Sequence, residues 1–173
     1  MAYLIDPAHS LIQFSVNHMM ISKVRGTFDN FTGTVNLDEE NPSNSIVQVE
    51  IDASSINTRT TQRDDHLRSP DFLNAAEYPH LVFQGTGVTL KDQKHALLEG
   101  ELTIREISHP VHLDVEFNGF SKSPYGTTSA GFSATGKINR KDWNLVWNQA
   151  LETGGMLVGD EIKIDIELEL IKQ

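Results

Sequence analysis

The chain has 173 residues, 38% of them hydrophobic, which is enough for one domain with a sizeable core, and residues 1–173 are expected to form it. A formal net charge of −10 argues against nucleic acid, because phosphate binding needs a basic face. The absence of cysteine excludes disulfides, a thiol nucleophile and thiolate metal sites, and fits a reducing compartment.

In chain order, MAYLIDPAHS has no basic region followed by an apolar core, and no later apolar run approaches the length of a membrane span. The chain as given is therefore expected to be cytoplasmic, or periplasmic or secreted if its N-terminus was trimmed, with no stable membrane insertion. From His9 to His18 apolar and polar residues alternate, with Ile12, Phe14 and Val16 on one face, as in a half-buried strand. Val24 to Leu37 reads as a second run broken by glycine, with Gly26 and Gly33 suited to bulges or bends. Ile46 to Ala53 alternates cleanly.

Arg59 to Pro79 is the one stretch where the two-residue period stops. Thr61 reads as a helix cap and Asp64 as a first-turn acid, predicting a helix over residues 62–68. Ser69-Pro70 predicts a second short turn or helix over 70–76, ended by Tyr78-Pro79. Its few apolar residues, Leu67, Phe72, Leu73 and Tyr78, must be buried against something else, so the segment is expected to lid one end of a barrel.

Alternation then resumes over residues 80–90, with the register past Gly85 left open, and over 96–106, 111–117, 127–138 and 160–172. Roughly eight strands, each with one apolar and one charged face, close most economically into an antiparallel barrel. A bore of that size either fills with side chains or holds one small ligand. Runs of about 12 residues give a barrel about 30 Å tall, which suits a long hydrocarbon better than a compact polar molecule.

Several short stretches recur in an order that resembles the YceI-like family: Asp6-Pro-Ala-His-Ser10 before Phe14, Val16-Asn-His18, Gly26-Thr-Phe28, Phe31-Thr-Gly33, Arg63-Asp-Asp-His-Leu67, Ser69-Pro-Asp-Phe72, Gly100-Glu-Leu-Thr-Ile104, Arg140-Lys-Asp-Trp143 and Val158-Gly159. The resemblance covers nearly the whole chain. It departs at Asn144-Leu145, where glycine after the aromatic is usual. It implies an extended lipocalin-like, eight-stranded antiparallel β-barrel with a short helical lid around residues 61–76. It also implies a ligand-filled bore, in proteins that look like carriers or stores of isoprenoid lipids, including quinone types.

On that basis the expected ligand wall is Ile12, Phe14, Val16, His18, Phe31, Val49, Ile51, Leu67, Phe72, Phe83, Leu102, Ile104, Leu113, Val115, Phe132, Trp143, Ile164 and Ile166. Arg63, His66 and Arg140 are head-group candidates, with Asp64, Arg68, Lys23 and Arg25 nearby in sequence. The plainer reading makes Asp64 and Arg68 a helix pair and has Arg140 hold the barrel mouth by pairing with an acid. His18 is either a satisfied interior histidine or a head-group contact. The seven histidines do not converge on a metal: His109 and His112 fall on opposite faces of a strand, and there is no HExxH pattern. No nucleophile, base and orienting group come together, so no enzyme, cofactor or metal is expected. The competing readings are an enzyme acting on a small apolar molecule at the barrel mouth, and a filled-core stress protein that acts through its surface or as a homodimer.

Overall fold

The structure, a computed structural model, describes residues 2–152 and 154–173. Its elements are β1 (Ala2–Ile5), β2 (Leu11–His18), β3 (Ser22–Phe28), β4 (Phe31–Asn36), β5 (Ile46–Asp52), β6 (Ile56–Asn57), α1 (Thr61–Arg68), β7 (His80–Leu90), β8 (His95–Ile104), β9 (Ile107–Lys122), β10 (Thr128–Asn139) and β11 (Val158–Lys172). Alternation dictates the wall: in β11, Glu161, Lys163, Asp165 and Glu167 are exposed while Ile162, Ile164 and Ile166 point the other way.

The strands form an antiparallel meander that closes on itself. β11 is long enough to pair β1 along one stretch, through Leu4↔Ile171, and β2 along another, through Ile164↔Phe14. β1 and β2 thus lie end to end as one wall position. β4 and β3 follow beside them, then β5 and β6. With β7, β8, β9, β10 and β11, this makes eight positions around a closed barrel. Closure removes the bare edges that would invite aggregation. At 16 residues β9 spans about 50 Å along its own axis, longer than the alternating core of Val111 to Phe117 alone implies.

Both barrel ends are defined by this register. The lid end gathers α1, the β2–β3 and β8–β9 turns, and the start of β11. The far end gathers the β4–β5, β7–β8 and β9–β10 connections.

Several local expectations change. The break between β3 and β4 falls at Asp29-Asn30 instead of at a glycine. There the Asp29 carboxylate accepts from Thr27 Oγ1 at 2.6 Å and Asn57 Nδ2 at 2.9 Å, bonds that hold its pKa below the usual value. Gly26 serves a different purpose: a Cβ there would overlap the Phe14 ring. The register past Gly85 shifts by one residue, at a bulge between Gly85 and Gly87. Helix α1 is capped by Thr60, not Thr61, and without a side-chain bond. Residues 70–77 form turns and no second helix. Leu73 and Ala75 donate back to the Leu67 and Arg68 carbonyls, and Asn74 is left-handed at φ 47, so the chain folds under the helix end instead of continuing it.

β1 is too short to show a period. Its Tyr3 is fully buried and donates its hydroxyl to Glu39 at 2.7 Å. Burial first, then this bond to an acid, pushes the phenol up to about 12. A raised pKa means the folded state holds the proton more tightly than the unfolded chain. Tyr3 therefore contributes stability that is complete below pH 10 and is lost between pH 10 and about 12. Ultraviolet titration should find tyrosine ionisation that coincides with the loss of fold, and Tyr3→Phe should remove that coincident step and shift the alkaline transition upward.

Candidate ligand-binding site

The inward faces do not meet at the barrel axis. They enclose a cavity of about 1160 Å³ that runs from the lid to the far end, at or above the upper range for small-molecule pockets. Every wall position contributes. Ile12, Phe14 and Val16 come from β2, Val49 and Ile51 from β5, Phe83 from β7, and Leu102 and Ile104 from β8. Leu113 and Val115 come from β9, Phe132 and Ala134 from β10, and Ile164 and Ile166 from β11. Small residues keep the bore open: a Cβ at Gly100 would come within 2.5 Å of the Phe83 ring, and one at Gly136 within 2.6 Å of Leu113.

Helix α1 and the turns after it close one end, with Leu67, Phe72 and Leu73 lining the bore. The anchor is Asp64. Its buried carboxylate accepts from the Thr58 amide at 2.8 Å and from the Thr58 hydroxyl at 2.5 Å. Arg63 donates through Nε to the Thr58 hydroxyl at 2.7 Å and through Nη2 to the Thr58 carbonyl at 2.7 Å. Arg68 bonds the Ser54 carbonyl at 2.8 Å and pairs with Asp65, so the expected Asp64–Arg68 pair does not form. The lid is thus held by bonds within residues 54–68.

At the lid end the bore becomes polar. His18, Thr60, Gln62, Arg63, His66 and Arg140 line it, with no carboxylate among them. His66 pairs with Asp71 at 2.9 Å and is held edge-on between Phe72 and Trp147, ring centroids 5.1 and 4.6 Å away. The His18 ring has no hydrogen-bond partner among the described residues, so it is not the satisfied interior histidine that strand parity also allowed. Arg140 was expected to pair with an acid, and it does so at long range, with the exposed Asp160 carboxylate 3.9 Å away. Its shorter bonds go to backbone: the guanidinium donates to the carbonyls of Gly159 at 2.8 Å, Leu145 at 2.6 Å and Trp147 at 3.0 Å. Lys23 and Arg25 do not line the bore: they flank the inward Val24 on β3 and so face outward.

Two expected wall residues lie elsewhere. Phe31 is buried in the core but does not reach the bore surface. Trp143 is buried beyond it, donating its indole N–H to the Leu102 carbonyl at 2.8 Å and stacking edge-on with His109. Alternation places a residue on a face but not at a depth. Asn144 takes the left-handed conformation at φ 58, which explains why glycine suits that position and how asparagine replaces it. The residue that sequence reasoning missed is Trp147, in a segment with no regular period. Its only signal was a second large aromatic, between Val146 and Asn148, four residues after Trp143.

The metal-competent side chains that gather among the described residues are Asp6, His9 and Glu169, on the outer surface. His9 and Asp6 bond at 2.6 Å, which raises the imidazole pKa and lowers that of the carboxyl. Asp6 also accepts from the Ala8 amide, so this cluster closes the turn between β1 and β2. Among the described residues no helix is long and apolar enough to cross a membrane.

A sheet closed around a through-going apolar bore, with a helix across one end, defines a lipocalin-like barrel. The chain belongs to the YceI-like family, whose domain matches residues 3–170. It is similar to a UPF0312 protein of Staphylococcus aureus (strain N315), 40% identical over 168 residues that span 96% of this chain and 95% of the relative. Among solved structures it is similar to the Campylobacter jejuni YCEI protein, with TM-score 0.78 and 30% identity over 91% of this chain and 90% of that one. It also shares the fold of a polyisoprenoid binding domain from Saccharophagus degradans implicated in plant cell wall breakdown, with TM-score 0.70 and 15% identity over 97% of each chain.

Proposed function

We propose that this barrel binds one isoprenoid lipid, with the hydrocarbon tail along the bore and the head group at the lid end, and serves as its carrier or store without chemistry of its own. The observation that carries this reading is the bore itself: about 1160 Å³, elongated, apolar along its middle and polar at its ends. Each 100 Å² of apolar ligand surface removed from water contributes roughly 2.5 kcal/mol, so a long tail offsets the cost of ordering a flexible molecule. The polyisoprenoid binding domain from Saccharophagus degradans shares the architecture. At the lid end, His18, His66 and the Arg63 Nη1, which has no bond among the described residues, offer donors to a quinone carbonyl or a phosphate oxygen.

Native mass spectrometry before and after organic extraction tests the reading. The expected result is a one-to-one adduct of isoprenoid mass that extraction removes. A protein that purifies empty and turns over a quinone analogue would instead make it an enzyme. An empty protein that runs as a dimer would point to action through its surface.

A further inference from the structure

We propose that the β2–β3 hairpin tip, together with Met156 beside it, docks on an anionic lipid bilayer and sets the lid-end mouth of the bore against the membrane surface. This rests on the lipid-binding reading above. Met19, Met20 and Ile21 are consecutive and 44, 69 and 85% exposed, with Met156 at 46%. Isolated exposed apolar side chains are ordinary, but three in a row on one tip are not. Both methionines occupy left-handed backbone, at φ 53 and 61, where a tight hairpin ordinarily takes asparagine or glycine. The turn therefore does not ask for them.

The tip is continuous with the bore. Val16, Asn17 and His18 on one side of it and Val24 on the other line the cavity, as do Leu157 and Val158 after Met156. The two rims are tied together: the Met19 amide donates to the Leu157 carbonyl at 2.8 Å, and Met20 packs on Gly155. A hydrocarbon passing between a bilayer and the bore by this route crosses the least water.

Charge selects the occupant. The chain carries 24 acidic residues, yet the hairpin from Leu11 to Phe28 contains none. It does contain Lys23 and Arg25, neither of which has an ion-pair partner among the described residues. An anionic surface is therefore attracted to this tip. The far end also exposes Phe120 and Tyr125, but there Glu39 and Asp92 line the opening beside Asp38 and Glu40 and outnumber Lys94, the one lysine in that lining, so this end repels such a surface.

Flotation with vesicles of phosphatidylcholine alone, and of phosphatidylcholine with phosphatidylglycerol, tests this directly. The wild-type protein should float with the anionic vesicles, less so in high salt. Ile21→Glu should float about tenfold less, the effect expected from losing one buried large aliphatic side chain. Lys23→Glu should weaken flotation, and Tyr125→Glu at the far end should leave it unchanged. Ile21 is exposed, so circular dichroism should show each variant folded. No flotation by the wild type, or equal flotation by Ile21→Glu, overturns the proposal. So does a wild-type dimer that Ile21→Glu splits without any vesicle binding, which would make the tip a self-interface. Extracting the same samples for isoprenoid judges the functional reading separately: a protein that floats through its tip but carries no lipid would sink that reading and leave docking intact.

Discussion

Replacing Arg140 with methionine should destabilise the fold by about 3–5 kcal/mol, a loss readable as a lower urea midpoint at unchanged slope. The guanidinium is 2% exposed, and burial pushes its pKa below the ordinary arginine range, with Asp160 opposing weakly. What satisfies it is backbone. Three carbonyls, of Gly159, Leu145 and Trp147, accept from it within 3.0 Å, and the Val158 carbonyl lies at 3.4 Å. Each carbonyl left unpaired costs roughly 1–3 kcal/mol unless water reaches it. Methionine fills similar space, so packing changes little and the cost isolates the polar bonds. Arg140→Lys should recover less than half of the loss, because one ammonium on a flexible stem cannot span donors aimed at both β11 and the 145–147 segment. The same bonds hold Trp147 against His66 and Phe72. Its fluorescence should therefore shift to the red in Arg140→Met under native conditions, before any global unfolding. A loss under about 1 kcal/mol would mean that these carbonyls are already wet.

The second large effect concerns the bore and has the opposite sign for stability. Ala134→Phe should lower the amount of bound isoprenoid at least tenfold while leaving the melting temperature unchanged or higher. Ala134 sits between Val115 on β9 and Ile166 on β11, and its methyl group faces the cavity. A phenyl ring there occupies the path of the tail and fills empty space, gaining contacts that a void forfeits. If the interior were already solid, the same ring would be overpacking and would cost about 1–3 kcal/mol. Retained binding together with lost stability would count against an occupied bore. Bound lipid measured by extraction and melting followed by circular dichroism separate the two cases, since only a hollow barrel predicts that they move independently.

Much of this protein is legible from its residues in order. The wall is, because alternation is local: Ile162, Ile164 and Ile166 against Glu161, Lys163 and Asp165 declare a face whatever the strand pairs with. The lid is too, because Pro70 and Pro79 and the loss of period mark where strands stop. The order of short motifs from Asp6-Pro7 to Val158-Gly159 carries the family. The sequence alone did not determine depth or partner. Trp143 and Phe31 share the apolar character of the wall but not its surface. Arg140 suggested an acid, and Asp160 is there at 3.9 Å, but its short bonds go to carbonyls, because main-chain groups carry no letter in the sequence. Trp147 belongs to a segment with no period to read. The hollow was also open, since the same inward residues would pack solid if opposite walls stood closer. That separation is set by eight wall positions and by the pairing of β11 with both β1 and β2. These contacts join residues more than a hundred positions apart, and strand number and register, not side-chain pattern, set the width of a closed barrel.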